Sequence, residues 1–181
     1  AKAVKEYGIE YWYGVELQTR EEVHVLGYFK SSDDLSHFEK WLIDKRDKTP
    51  NRTDLFGNQY ILDETDEIVG IMQDSLIRSL DADLDECIRA LRASHGKIVL
   101  AHVADRKNGI IHQLAFIPKK LDYDGIEITD PTQKENLIQR FPWLKDKPFF
   151  VNSDAHTLVS IKEAHFELSE EEINRFWRDA P

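Results

Sequence analysis

Side chains able to bind a divalent cation recur on the predicted strands and strand ends of this sequence. They are two carboxylates and three imidazoles: Glu16, His24, His102, Asp154 and His156. Imidazole nitrogen together with carboxylate oxygen suits Zn, Mn or Fe better than Ca or Mg. A carboxylate that bridges two such cations can hold an activated hydroxide and clamp a phosphoryl group for in-line attack. These residues therefore predict metal-dependent hydrolysis, which needs no nucleophilic Ser or Cys.

Three of these residues directly follow runs of apolar residues. Residues 148–151 predict a short buried strand, and it stops at the polar segment 152–156, which contains Asp154 and His156. His102 follows the continuous apolar strand predicted at 97–101. α/β barrels place their chemistry at the carboxyl ends of such strands. For segment 152–156 alone, a polar loop that caps the next helix is an alternative interpretation.

The other two candidate ligands lie in a predicted hairpin. Residues 10–18 and 22–29 have the aromatic and β-branched composition of strands. If the chain turns at Arg20, Glu16 lies opposite His24, with Cβ atoms about 5 Å apart on one face of the sheet. That separation suits two ligands of one cation. An ordinary Glu–His cross-strand pair is the alternative.

Apolar strands alternate with amphipathic helices along the rest of the chain, which predicts an α/β fold with a parallel sheet or barrel. Further strands are predicted at 97–101, 124–129, 148–151 and 164–168. Helices are predicted from 31, around 75–80, at 81–94, at 131–140 and from 169, where Ser169 and Glu172 predict a capping box. Two short strand-like runs, at 59–62 and 67–71, predict a small inserted hairpin. With no internal repeat or linker, the sequence predicts a single domain over residues 1–181.

Composition argues against several classes of function. The formal net charge is −10 and the basic residues form no block, so nucleic acid is not an expected partner. No apolar run approaches the ~20 residues that span a bilayer, and no secretory signal opens the chain. The single cysteine, Cys87, cannot form an internal disulfide, which favours a reducing, cytoplasmic location. The sequence does not indicate an oligomeric state.

Four motifs, in this order, resemble those of the polymerase and histidinol phosphatase (PHP) family. They are Gly14-Val15-Glu16, the run Val-His-Val-Leu-Gly-Tyr-Phe at 23–29, Ala101-His102, and Asn-Ser-Asp-Ala-His at 152–156. The resemblance covers residues 8–161. The segments Phe-Gly-Asn-Gln at 56–59 and Phe-Ile-Pro at 116–118 also resemble a bacterial branch of PHP phosphoesterases.

The resemblance implies a distorted seven-stranded (β/α) TIM-like barrel with up to three divalent ions (Zn, Mn or Fe) at the carboxyl ends of its strands. Glu16 would bridge two ions, and His24 and His102 would complete one of these. Asp154 would bind the other bridged ion, and His156 a third. The implied activity is hydrolysis of a phosphomonoester of a small metabolite or nucleotide through a metal-activated hydroxide, with Glu16, His102 and Asp154 as catalytic residues.

Arg106, in the loop after His102, is the candidate for binding the substrate phosphate, because a guanidinium group matches phosphate oxygens. A solvated loop arginine is the alternative. A proofreading nuclease, like polymerase-associated members of the family, is disfavoured by the acidic net charge.

The sequence departs from the family pattern near its start. The family opens with a strand ending in His-x-His and continues with a Thr-Asp-His motif, and neither is present. Residues 1–8 instead predict the end of a helix, so we expect the first βα units of the barrel to be missing. This fragment is then expected to be impaired or inactive. The alternative function is a non-catalytic PHP-like binding or regulatory domain. Val103, where related sequences often have Pro, is a smaller departure.

Overall fold

The computed structural model describes residues 6–104, 106–161 and 166–178. The strands are β1 (Tyr13–Gln18), β2 (His24–Phe29), β3 (Tyr60–Leu62), β4 (Ile68–Ile71), β5 (Lys97–Leu100), β6 (Gly125–Ile128) and β7 (Phe149–Val151). The helices are α1 (Ser32–Lys45), α2 (Thr53–Phe56), α3 (Leu84–Ala93), α4 (Ile110–Leu114), α5 (Gln133–Arg140) and α6 (Glu170–Trp177). Short 3₁₀ turns occupy Pro142–Leu144 and Leu158–Ser160.

The main sheet is open, with the strand order β1-β2-β5-β6-β7. Pairing of β1 with β2 and of β2 with β5 is antiparallel, whereas β5, β6 and β7 run parallel. The predicted seven-stranded barrel is therefore wrong. A closed barrel needs both edge strands to be paired, but in the described part of the chain β1 and β7 each have one neighbour.

One face of the sheet carries the main core, which lies under α1 and α3. The helix starts follow from sequence: the Ser31 side chain caps α1, and Asp83 forms a capping box with Glu86 at the start of α3. Capping satisfies backbone N–H groups that have no partner within the helix. The predicted helices at these two places are confirmed.

The opposite face of the sheet is covered by an aromatic cluster brought in by α6. Phe176, only 3% exposed, stacks on Trp12 and meets Phe150 edge to face. Lys97 Nζ donates to the carbonyl of Arg178 at 2.7 Å, which ties the end of α6 to β5. The predicted capping box of Ser169 and Glu172 starts this helix. The strand predicted at 164–168 falls partly on residues outside the described ranges, and residues 166–168 are not a strand.

Strands β3 and β4 form a separate antiparallel two-stranded sheet within the predicted hairpin region. Its base is closed by an isolated bridge between Pro50 and Asp74. The segment that follows the hairpin returns along the edge of β1, where Leu80 N donates to the carbonyl of Gln18 at 2.8 Å. Across the described ranges, no helix combines the length and apolar character needed to cross a membrane.

Candidate metal centre

Three adjacent strands bring Glu16, His24 and His102 together. Glu16 lies in β1, His24 begins β2, and His102 comes two residues after β5. Because β2 is hydrogen-bonded to both β1 and β5, it places its first residue between the other two. The bond from Ala101 N to the carbonyl of His24, at 3.3 Å, sets His102 beside this imidazole.

The predicted register of the β1–β2 hairpin is wrong by two residues. Glu16 pairs with Leu26, and His24 pairs with Gln18. A shift of one residue would have moved His24 to the other face, but a shift of two keeps it on the same face as Glu16. The two side chains therefore meet diagonally across the strands.

The three ligand atoms converge within hydrogen-bonding range. Glu16 Oε1 lies 2.8 Å from His24 Nδ1 and 3.4 Å from His102 Nε2, and these two ring nitrogens are 3.1 Å apart. All three atoms lie within 4.8 Å of one another. Two imidazole nitrogens and a carboxylate oxygen match the protein ligands of His₂Glu metal sites. The residues present therefore fit a divalent cation such as Zn, Mn or Fe.

The surroundings of His24 favour a ring with Nδ1 directed at this site. Its Nε2 lies 3.3 Å from Gln18 Oε1, while the amide nitrogen of Gln18 donates to Ser79 Oγ at 3.0 Å. A ring that donates from Nε2 keeps the Nδ1 lone pair available to a cation, which is the usual function of a second hydrogen bond to a metal-binding histidine. His24 N also donates to the carbonyl of Asn108 at 2.9 Å, which fixes its backbone.

Glu127 accepts hydrogen bonds from the backbone of His102 and from the side chain of Asn152, in the loop after β7. This carboxylate is 6% exposed; Oε2 accepts from His102 N at 3.0 Å and Oε1 accepts from Asn152 Nδ2 at 2.6 Å. His102 has a φ of +27° and Asp154 a φ of +46°, in the left-handed region that non-glycine residues rarely adopt. Such strain persists where the surrounding structure enforces it, and it clusters at functional sites.

Hydrogen bonds and charge perturb the pKa values of this group. Hydrogen bonds from His102 and His24 hold the pKa of Glu16 well below its ordinary value. Burial lowers the pKa of His102, but the hydrogen bond to Glu16 and the charges of Asp154 and Glu16 outweigh it, so the net pKa is raised. Burial raises the pKa of Glu127. Carboxylate and imidazolium thus stabilise each other when no cation is bound.

Replacing Glu16 by Gln should lower the pKa of His102 in protein freed of metal by a chelator, because the hydrogen bond and charge that raise it are lost. An NMR titration of the imidazole Cε1–H signals measures this directly. Glu135→Gln, on the exposed side of α5, is the matched control. An unchanged His102 pKa in Glu16→Gln would contradict the geometry.

The interaction between Glu16 and His102 should also make the free energy of unfolding of the metal-free chain depend on pH. Because folding lowers the pKa of Glu16, this carboxylate stabilises the folded chain above pH 4.5, its ordinary pKa. That stabilisation is lost as the pH falls through the pKa that Glu16 has in the folded chain. Because folding raises the pKa of His102, this imidazole stabilises the folded chain below pH 6.5, its ordinary pKa. That stabilisation is lost as the pH rises through the pKa that His102 has in the folded chain. The difference in stability between the native chain and Glu16→Gln is therefore largest between these two ordinary values.

Asp154, His156 and Arg106 line the same cavity of about 380 Å³ but do not join the group of three. Asp154 Oδ2 lies 3.1 Å from Arg106 Nε, so the predicted metal ligand and the predicted phosphate-binding residue form an ion pair. The His156 side chain is 83% exposed, and its Nδ1 lies 3.9 Å from Asp154 Oδ1. The structure thus groups three of the five predicted metal ligands and places the other two nearby.

Sequence reasoning assigned no function to Glu127, Gln18, Lys107 or Asn108. Lys107 and Asn108 line the cavity, and the other two hold ligand histidines. A signal for Glu127 was available, because a lone carboxylate between Ile126 and Ile128 in a buried strand must find hydrogen-bond donors. Gln18 could not be found, since its contact with His24 depends on the true register of the hairpin.

Comparisons of the chain with known protein families, curated proteins and solved structures gave no match. The resemblance to the PHP family therefore stays a prediction.

Proposed function

We propose that Glu16, His24 and His102 bind a divalent cation and that the chain belongs to a metal-dependent phosphoesterase of the PHP type. The convergence of the three ligand atoms within 4.8 Å carries this proposal. The proposed substrate is a phosphomonoester of a small metabolite or nucleotide. The proposed location is the cytoplasm, in keeping with a single cysteine, Cys87, which is buried and whose thiol pKa burial raises to about 12.

The charge around the cavity supports an anionic substrate despite the acidic chain. Arg106 and Lys107 line it together with the three candidate ligands. A bound divalent cation would supply Lewis acidity and would lower the pKa of water. Asp154 orients the Arg106 guanidinium through Nε. Arg106 can thus present its other nitrogens to phosphate oxygens, the planar arrangement that favours arginine over lysine at phosphate sites.

The proposal is tested by assaying the chain on a panel of small phosphomonoesters with added Zn²⁺, Mn²⁺ or Fe²⁺. We expect slow phosphate release, in keeping with the impairment expected from the sequence, that needs metal, is lost in His102→Ala, and falls in Arg106→Ala mainly through a higher KM. Exposed His112→Ala is the control and should be unaffected. Metal-independent turnover, or full activity in His102→Ala, would contradict the proposal.

A second function is favoured by the contacts of Asp154 and His156. Asp154 is paired with Arg106 and His156 is mostly exposed, so the described residues group ligands for only one cation. Phosphoester hydrolysis by two clustered ions needs more ligands than these. A PHP-like binding or regulatory domain that holds one metal without turnover is therefore the alternative. Metal binding without phosphate release from any member of the panel would favour it.

A further inference from the structure

The turn at 106–109 packs directly on the backbone of a candidate metal ligand. Gly109 N closes this turn by donating to the carbonyl of Arg106 at 2.9 Å. A Cβ atom on Gly109 would lie 2.6 Å from the carbonyl oxygen of His102 and 3.0 Å from that of Val103. Both atoms belong to the backbone and cannot rotate away. Only glycine therefore lets the turn lie this close to His102.

Asn108 fastens the same turn to the start of β2. Its backbone carbonyl accepts from His24 N at 2.9 Å, and its Nδ2 donates to the carbonyl of Glu22 at 2.9 Å. Because a carbonyl can only accept, this contact determines the orientation of the amide. Glu22, with a φ of +61°, is itself held, since its N–H donates to the carbonyl of Thr19 at 2.9 Å. Asn108 therefore attaches the turn to a fixed part of the β1–β2 connection.

This turn carries two cations of the metal-site cavity, Arg106 and Lys107. Nε of Arg106 is paired with Asp154, whereas Lys107 makes no ion pair with any residue that the structure describes. The ammonium group of Lys107 is therefore available to an anion in the cavity. Its backbone is held, because the carbonyl of Lys107 accepts from Gln113 Nε2 at 3.0 Å. Both cations thus depend on the turn for their position.

We propose that Asn108 is a positioning residue, which fixes Arg106 and Lys107 relative to the metal ligands so that both cations contact the phosphate of the substrate. This positioning function rests on the proposed phosphoesterase site, to which it adds Lys107 as a second phosphate contact. The bond from Asn108 Nδ2 to the carbonyl of Glu22 is the part of the attachment that a side-chain substitution removes. The backbone bond to His24 survives such a substitution.

Calorimetric titration of inorganic phosphate, the product of the proposed reaction, into the Mn²⁺-loaded chain tests the proposal. We expect Asn108→Ala to weaken phosphate binding about three- to tenfold, the effect of one hydrogen bond. Mn²⁺ affinity should be unchanged, because the backbone bond to His24 remains. In turnover assays the variant should raise KM with little change in kcat. Asn58→Ala removes an exposed amide that donates to Tyr60 Oη, and this matched control should change neither affinity.

A double-mutant cycle separates positioning from general disruption of the site. In chains that carry Arg106→Ala or Lys107→Ala, adding Asn108→Ala should weaken phosphate binding less than it does in the native chain, because one of the positioned side chains is absent. Additive losses in both backgrounds, equal losses of phosphate and Mn²⁺ affinity, or native phosphate affinity in Asn108→Ala would overturn the positioning function alone. Absence of phosphate binding by the native Mn²⁺-loaded chain would overturn the proposed phosphoesterase site as well.

Discussion

Replacing His102 by Ala should weaken the binding of Zn²⁺ or Mn²⁺ at least about 100-fold. His102 Nε2 is one of the three converging ligand atoms, and its side chain is buried against the other two. Loss of an outer hydrogen-bond partner alone typically costs about 10–100-fold in metal affinity, so loss of a ligand should cost at least about 100-fold. Isothermal titration calorimetry on wild-type and variant chains measures the difference.

Two controls separate loss of the ligand from loss of the fold. His112→Ala removes an exposed imidazole from α4 and should leave metal affinity unchanged. His102→Ala itself should keep the far-ultraviolet circular dichroism of the native chain, with a stability loss of about 1–3 kcal/mol for a buried side chain. Equal metal binding by the native chain and a folded His102→Ala would show that this group of residues is not the site.

Replacing Glu127 by Ala should reduce both the free energy of unfolding and the metal affinity. The variant leaves the backbone N–H of His102 and the side-chain amide of Asn152 without their buried acceptor. Leaving the buried N–H of His102 unsatisfied costs about 1–3 kcal/mol, and losing the bond of the exposed Asn152 amide costs about 1 kcal/mol more, so we expect a loss of roughly 2–4 kcal/mol. Metal affinity should fall about 10–100-fold, because Glu127 holds the strained backbone of a ligand. Urea denaturation and calorimetry provide the two values.

Glu127→Gln distinguishes acceptor geometry from simple packing. The amide has the size of the carboxylate but only one acceptor oxygen, so it can satisfy one of the two donors. Its stability should lie between those of the native chain and Glu127→Ala. Glu135→Ala, on the exposed side of α5, should change little. A Glu127→Ala chain with native stability and metal affinity would contradict a positioning function for this carboxylate.

Local structure was largely predictable from sequence because its causes are local. The caps at Ser31, Ser169 and Asp83 and the apolar periodicity behind them determine where helices begin. Strands β5 and β7 follow from apolar runs, and β6 follows from the apolar residues on either side of Glu127. In contrast, the helical stretch expected at 75–80 did not form; those residues instead bond to the edge of β1 and to residues 49 and 59.

The barrel could not be judged from such local signals. Closure of a barrel depends on which edges of the sheet find partner strands, and the sequence patterns of single strands do not specify those partners.

The site was more predictable than the architecture. Glu16, His24 and His102 met despite a wrong register, because an even shift preserves the face of a strand. Asp154 pairs with Arg106, a contact between two loops that periodicity could not indicate.

The most direct test of the metal centre is X-ray absorption spectroscopy at the Zn edge on the purified chain loaded with one equivalent of Zn²⁺. Two imidazole nitrogens at about 2.0–2.1 Å and a carboxylate oxygen at about 2.0–2.2 Å are expected. The imidazole scattering should drop by about half in His24→Ala, since one of the two rings is removed. Zn surrounded by oxygen alone, or the same imidazole signal in wild-type and variant chains, would contradict a centre built from Glu16, His24 and His102.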